Sequence, residues 1–253
     1  MLVGIEEVTS LMLCSDNTPA IIRSSINLLS YPTYMSRKVI VRNTSIADIG
    51  PLIALQKRIY PSIPPWREEL LLQQLEIFPQ GQFVAEIYGE IVGAASSLVV
   101  SWDEWQAKHT WKEVTDRGSF DTHNPQGRTL YAAEVFVHPN RRGSGIGHAL
   151  YRERRILCRK LNLKRIIACG RLPGYHLYAD EMPAQLYAQK VVWGDIRDPV
   201  LSFQLKEGYD FCGTVSGYIP EDIESQGYAA LIVWLNPSYN AKKPSIITKG
   251  EVR

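Results

Sequence analysis

The sequence predicts a mixed α/β domain over residues 37–236, flanked by an N-terminal extension, 1–36, and a polar tail, 237–253. Three observations carry this expectation. Short apolar runs rich in Val, Ile and Tyr alternate with stretches whose apolar residues recur at helical spacing. Gly, Pro and Asn mark the joints between them. The composition, 45% hydrophobic and 21% charged among 253 residues, is that of a chain able to bury one sizeable core.

The elements follow in order. "KVIVR" (38–42) is a β-branched run and predicts a strand. "SIAD" (45–48) has the spacing of a capping box and precedes a stripe through Leu52, Leu55 and Ile59. Pro64 and Pro65 break the chain before a second helical stretch, 66–78. Residues 82–100 read as two strands joined at Gly89-Glu90. A polar and aromatic insert, 102–128, leads to the strand "TLYAAEVFV" (129–137). Ile146, Ala149, Leu150, Leu157 and Leu161 form one helical stripe, and "KRIIAC" (164–169) is again a strand. A second insert, 171–197, ends at Asp198-Pro199, a pair suited to N-cap and first helical position; that helix stops at Gly208. "YAALIVWL" (228–235) is the last strand. Inserts this long are unusual in a compact domain and are often functional.

The totals exclude several classes. A net charge of +2 gives no global reason to bind nucleic acid or a membrane surface. Cys14, Cys158, Cys169 and Cys212 lie far apart, which suggests neither a disulfide framework nor a metal site, so a reducing cytoplasm is expected. No apolar run is long enough to span a bilayer, and the N-terminus carries acids where a signal peptide has bases.

The stretch "HPNRRGSGIGHALY" (138–151) carries chemistry. A strand ends at Val137-His138, Pro139 stops it, and a helix begins near Gly145. Gly143, Gly145 and Gly147 let backbone N–H groups converge, and the helix N-terminus adds partial positive charge. Arg141 and Arg142 add full charges with forked donors. Such a loop is an anion site suited to phosphate. It is not a Walker loop, which needs GxxxxGK[ST], and its glycines miss the GxGxxG spacing.

Arg142-Gly143-Ser144-Gly145-Ile146-Gly147 instead resembles motif A, [Q/R]-x-x-G-x-[G/A], of the GNAT acyltransferases. "HTW" (109–111), "THNPQGRTLY" (122–131), "LNLKRI" (161–166), "GRLPGYHLYADE" (170–181) and "DPVLSFQLKEGY" (198–209) extend the likeness from about Arg37 to Pro237. Together they resemble the acetyltransferase half of bacterial proteins that join a GNAT domain to a carbon–nitrogen hydrolase. The resemblance implies a mixed sheet with splayed central strands and acetyl-CoA, or another acyl-CoA, as co-substrate, with no metal. It also implies an amine acceptor, a small molecule or a protein. The Glu-Lys-Cys machinery of the hydrolase has no counterpart here, so no hydrolase activity is expected; that domain would be separate or lost. The oligomeric state is left open, a homodimer included.

The resemblance also distributes roles. The loop from Arg141 to Gly147 would hold the CoA pyrophosphate. Phe136, Val137 and His138 would hold the pantetheine and aim an N–H at the thioester oxygen. Arg152, Arg154, Arg155 and Arg159 would reach the 3′-phosphate or form a solvated face. The amine must lose a proton, and Glu134 is the first candidate base, although a strand carboxylate is as readily an ordinary surface or ion-paired group. His176 comes next, having a suitable ordinary pKa, then His123. Many GNAT proteins place an acidic tyrosine four residues before the glycine that ends the late helix. Here that position is Gln204, which has no proton to give. Tyr175, Tyr178 or Tyr187 would substitute, or solvent would protonate the thiolate. Tyr178, Asp180, Glu181 and Gln204, with Trp102, Trp105 and Trp111 as walls, are the expected acceptor site. Two other readings stay open: an acyl loader or decarboxylase working with a carrier protein, and a catalytically weak acyl-CoA sensor.

Overall fold

The computed structural model describes residues 38–59, 65–105 and 109–245, all within one compact unit, Arg37–Arg253; the 1–36 extension and Cys14 lie outside the described residues. Seven strands form one sheet: β1 (Ile40–Asn43), β2 (Phe83–Ile87), β3 (Glu90–Val100), β4 (Thr129–Val137), β5 (Arg165–Arg171), β6 (Asp210–Val215) and β7 (Ala229–Leu235). Their order is β1-β2-β3-β4-β5-β7-β6. β4 and β5 run parallel because a helix crosses over between them; the other neighbours are antiparallel. This is the mixed sheet the sequence predicted.

Local signals explain most elements. Ser45 and Asp48 close the expected capping box, ahead of a short 3-10 turn that runs into α1 (Ile49–Ile59). The β2–β3 hairpin turns at Tyr88-Gly89, one residue before the expected Gly89-Glu90; both turn residues have positive φ (54° and 79°), the geometry of a two-residue turn matched to strand twist, and Glu90 starts β3. α2 (Glu68–Ile77) follows the proline break with acids in its first turn. α3 (Trp102–Trp105) and α4 (Trp111–Val114) punctuate the first insert, the latter through a Thr110–Glu113 capping box. α5 (Ile146–Lys160) is the crossover helix.

Two expectations need correction. The 171–197 insert is not a loop, because it contains α6 (Ala184–Trp193), entered from Pro183 and closed by Gly194 at φ 89°. α7 (Leu201–Lys206) starts two residues after Pro199, yet Asp198 still caps it, its Oδ1 accepting from Val200 N–H at 2.9 Å and Leu201 N–H at 2.8 Å.

The sheet has two apolar faces. Ala95, Val99, Leu130, Ala132, Ile166 and Ala168 pack with α5 and α6. The opposite face carries Val84, Ala94 and Phe136 under α1, then Leu98, Tyr131, Ala133 and Ile167 under the first insert.

Candidate active site

The site begins where two strands part. β4 and β5 pair only through Thr129–Tyr131 and Arg165–Ile167, although β4 runs on to Val137 and β5 to Arg171. Beyond Tyr131 the strands diverge and leave unpaired backbone along β4. His138 N–H donates to Val92 O of β3 at 2.8 Å. Strand alternation therefore turns the N–H groups of Val137 and Val135 toward the opening, and those of Phe136 and His138 away from it. Phe136 also buries its ring against Leu52 and Leu55, and the His138 ring accepts Asn140 N–H at 3.2 Å. Val135 N–H, which donates to Glu134 Oε1 at 3.2 Å, is a donor on this side that the sequence reading did not name.

A bulge orients Glu134. Ser96 pairs with Glu134 and Ser97 with Ala132, so Ala133 is the extra residue. Ala133 and Glu134 then share the face of Phe136; a regular strand would have turned Glu134 toward α5. Both sides of the sheet pin the bulge. Trp111 Nε1 donates to Ala133 O at 3.0 Å. Arg154, 1% exposed, donates to Glu134 O at 2.7 Å, Ser96 O at 3.2 Å and Ser97 Oγ at 3.0 Å, and pairs with no carboxylate among the described residues.

Glu134 lines an open cleft between α1, α2 and strands β2–β4. Desolvation pushes its pKa up to about 7, against the opposing pull of Val135 N–H, Arg171 and Arg154. Deeper on this face, His109 Nε2, Tyr131 OH and Tyr218 OH form a buried chain with contacts of 3.0 and 2.8 Å.

The glycine loop sits at the β4 end of the opening. Gly143 and Gly145 have φ of 76° and 79°, and a Cβ added to either would meet nothing within 4 Å. A Cβ at Gly147 would touch the Phe203 ring at 3.0 Å, so this glycine lets α5 pack on α7. Ile146 is buried as the first residue of α5, while Arg142 and Ser144 are exposed. Arg141 lies 4.0 Å from Glu90. Helix geometry leaves the first-turn N–H groups of α5 facing outward from this loop, a set of donors that fits a phosphate.

Other expected residues lie elsewhere. Tyr175 is 5% exposed, packs with Tyr187 and Tyr228, and donates its hydroxyl to Met182 O. Tyr187 donates to Asp198 Oδ2, and the Tyr178 ring packs on it. His176 is exposed, its Nδ1 2.8 Å from Pro173 O, and Asp180 and Glu181 are exposed; none of the three lines the cleft. Gln204 is buried, bonds Tyr151 OH at 3.1 Å and fills the space a side chain on Gly170 would need, so it faces the core instead of an acceptor. His123 stacks on Phe78, takes Val99 N–H on Nδ1 and has its pKa lowered to about 4 by burial, which makes it a neutral structural acceptor. Trp111 reaches the cleft only through Trp66, on which it stacks at 6.4 Å. Trp102 stacks on Tyr131, and the side chain of Trp105 lies outside the described residues. Of the arginine run, Arg154 is buried and Arg155 pairs with Glu207, while Arg152, paired with Glu153, and Arg159, over Trp234, are exposed.

Residues 51–182, more than half of the chain, match the model of the acetyltransferase (GNAT) family. The chain belongs to the GNAT family. The family is one of acetyltransferases. The chain is 38% identical to an uncharacterised N-acetyltransferase, YkwB of Bacillus subtilis strain 168, over 79% of this chain and 89% of YkwB. It is 46% identical to a probable hydrolase of the same organism, YhcX, over 82% of this chain, and spans 40% of YhcX. Among solved structures, a GNAT-like decarboxylase, GphF, in complex with isobutyryl-CoA is 25% identical, with TM-score 0.66 over 78% of this chain and 99% of that one. Among the described residues, no helix is long and apolar enough to cross a membrane, and no group of three or more His, Cys, Asp or Glu is arranged to hold a metal ion.

Proposed function

We propose that this GNAT protein transfers an acyl group, acetyl first among the candidates, from CoA to an amine by direct attack in a ternary complex. The observation that carries the reading is Glu134: a carboxyl with pKa near 7, at the strand opening, lining a cleft. In this reading the loop from Arg141 to Gly147 holds the pyrophosphate, and the Val137 N–H holds the pantetheine. Val135 N–H, on the opening side of β4 and 3.2 Å from Glu134 Oε1, is shared between that carboxyl and the thioester oxygen, a donor worth a few kcal/mol (about 3) in comparable sites. The amine enters from the α1–α2 side. Deprotonating it at pH 7 costs about 4–5 kcal/mol, and Glu134 accepts that proton. The N–C bond forms, the C–S bond breaks, and CoA departs as a thiolate. The hydroxyls of Tyr175 and Tyr187 are committed to Met182 O and Asp198, so solvent protonates the thiolate. The coverage of YhcX supports pairing with a separate hydrolase domain.

A second reading, an acyl loader or decarboxylase working with a carrier-protein thiol, draws support from the likeness to the GNAT-like decarboxylase GphF, whose complex holds isobutyryl-CoA. One experiment separates them: incubate the protein with acetyl-CoA and follow free thiol with amines, with a carrier protein, or with neither. Amine-dependent release is expected. Release only with the carrier would replace the first reading by the second.

A further inference from the structure

We infer that the acceptor is a small primary amine on an uncharged, largely apolar body, with its nitrogen seated among Glu134, Ser96 and Gln82. The inference rests on the amine-acyltransferase reading and deepens it.

Charge sets the first limit. Among the described residues, Glu134 is the sole ionisable side chain on the cleft wall, which carries no Lys, Arg or His there. An acceptor carrying a carboxylate or phosphate would bury that anion with no cation to meet it. A polyamine would bring two or more cations to one carboxylate. A single amine matches the single charge.

Hydrogen bonding locates the nitrogen. Three amides line the cleft, and two of them are engaged: Gln56 Oε1 accepts Trp66 N–H at 3.0 Å, and Gln74 Nε2 donates to Gly118 O at 2.7 Å. Gln82 Nε2 is likewise occupied, donating to Phe78 O and Ser97 O, both at 3.0 Å. Two buried atoms of the cleft wall have no partner among the described residues, Gln82 Oε1 and Ser96 Oγ, on residues 4% and 6% exposed. Buried acceptors are costly to leave unpaired. Ser96 is the cross-strand partner of Glu134, so their side chains are neighbours on one face. Gln82 bonds the next carbonyl along β3, that of Ser97. The orphaned atoms therefore gather beside the carboxyl, and an amine head brings the donors they lack.

The rest of the wall defines the body. Leu52 of α1, Leu71 and Leu75 of α2 and Phe136 of β4 are all buried and apolar. An apolar wall beside a single carboxyl suits a short alkyl or single-ring amine.

The test uses the full chain and acetyl-CoA, with thiol release measured for isoamylamine, phenethylamine, spermidine, lysine and a lysine-containing peptide. The two apolar amines are expected to exceed the other three in kcat/KM by at least 100-fold. Ser96→Ala should lower kcat/KM for phenethylamine about 10-fold and leave the KM for acetyl-CoA unchanged. Faster turnover of spermidine, lysine or peptide would overturn this inference while leaving the amine reading intact. If Ser96→Ala does not fold, the wild-type ranking still decides. Thiol release with none of the five amines would overturn both.

Discussion

Asp48 and Glu134 are carboxylates on the same side of one sheet, and their surroundings treat them oppositely. Asp48, 6% exposed, accepts a fork from Arg42 at 2.6 and 2.8 Å together with the N–H and hydroxyl of Ser45 at 2.7 and 2.8 Å. Those donors draw its pKa down to about 2 against the effect of burial. Glu134 accepts one hydrogen bond, from Val135 N–H at 3.2 Å, and burial pushes it up to about 7. A carboxylate saturated with donors is a strut at the start of α1. One starved of donors can exchange a proton near neutral pH, as a base requires.

The sharpest way to break this comparison is Glu134→Gln. The rate at pH 7 should fall about 100- to 1,000-fold, and less at pH 9.5, where the amine deprotonates more readily. The wild-type rate should climb through about pH 7 on a limb that the variant lacks. An equal loss at both pH values would remove Glu134 as the base. Stability should move the other way. A carboxyl whose folded pKa lies above its unfolded value favours folding while protonated, and that contribution fades as pH rises from about 4.5 to about 7. Glu134→Gln should match the wild type at pH 4 and exceed it at pH 8.5 by about 1–2 kcal/mol in urea unfolding, the shift being discounted for the carboxyl's residual solvent contact.

Asp48→Asn should show the reverse sign. A depressed pKa contributes stability above the unfolded value, lost as pH falls toward about 2. The variant should lose about 1–2 kcal/mol at pH 7, a figure kept low because the Arg42 side chain is 39% exposed. The deficit should shrink below pH 3. A deficit that persisted there would mean that Asp48 acts through packing instead of charge.

The contrast also separates what could be read from the sequence from what could not. Asp48 was legible because a capping box is a four-residue pattern, Ser45 to Asp48. β4 and the glycine loop before α5 were legible for the same reason, short-range chemistry, and the β2–β3 turn was legible to within one residue, expected at Gly89-Glu90 and found at Tyr88-Gly89. Pro183 and Gly194 also signalled α6, but an insert read as loop concealed it. Glu134 could be picked out by its place on β4, yet its orientation could not, because the bulge at Ala133 depends on how Ser96 and Ser97 register across strands. Long-range packing likewise decided the fates of Tyr175, drawn into an aromatic cluster, and Gln204, turned onto Gly170. The cleft itself is assembled from α1, α2 and three strands that no local pattern brings together.

The finest test asks what Arg154 contributes to the Glu134 side of the comparison. Arg42 meets Asp48 at its carboxylate, whereas Arg154 holds the backbone carbonyl of Glu134 and acts on the carboxyl only through space. Arg171 also pulls the Glu134 pKa down, and Tyr218 is the other titratable group coupled to it. Arg154→Lys keeps the charge but loses the planar fork that spans Ser96 O, Ser97 Oγ and Glu134 O. It should lower kcat about 3- to 10-fold and leave the acidic limb of the pH–rate profile in place. Arg154→Met removes the charge as well and should move that limb upward by about half a unit. If both variants moved the limb equally, Arg154 would serve the bulge alone, and Arg171 would be the cation that holds the base near neutrality.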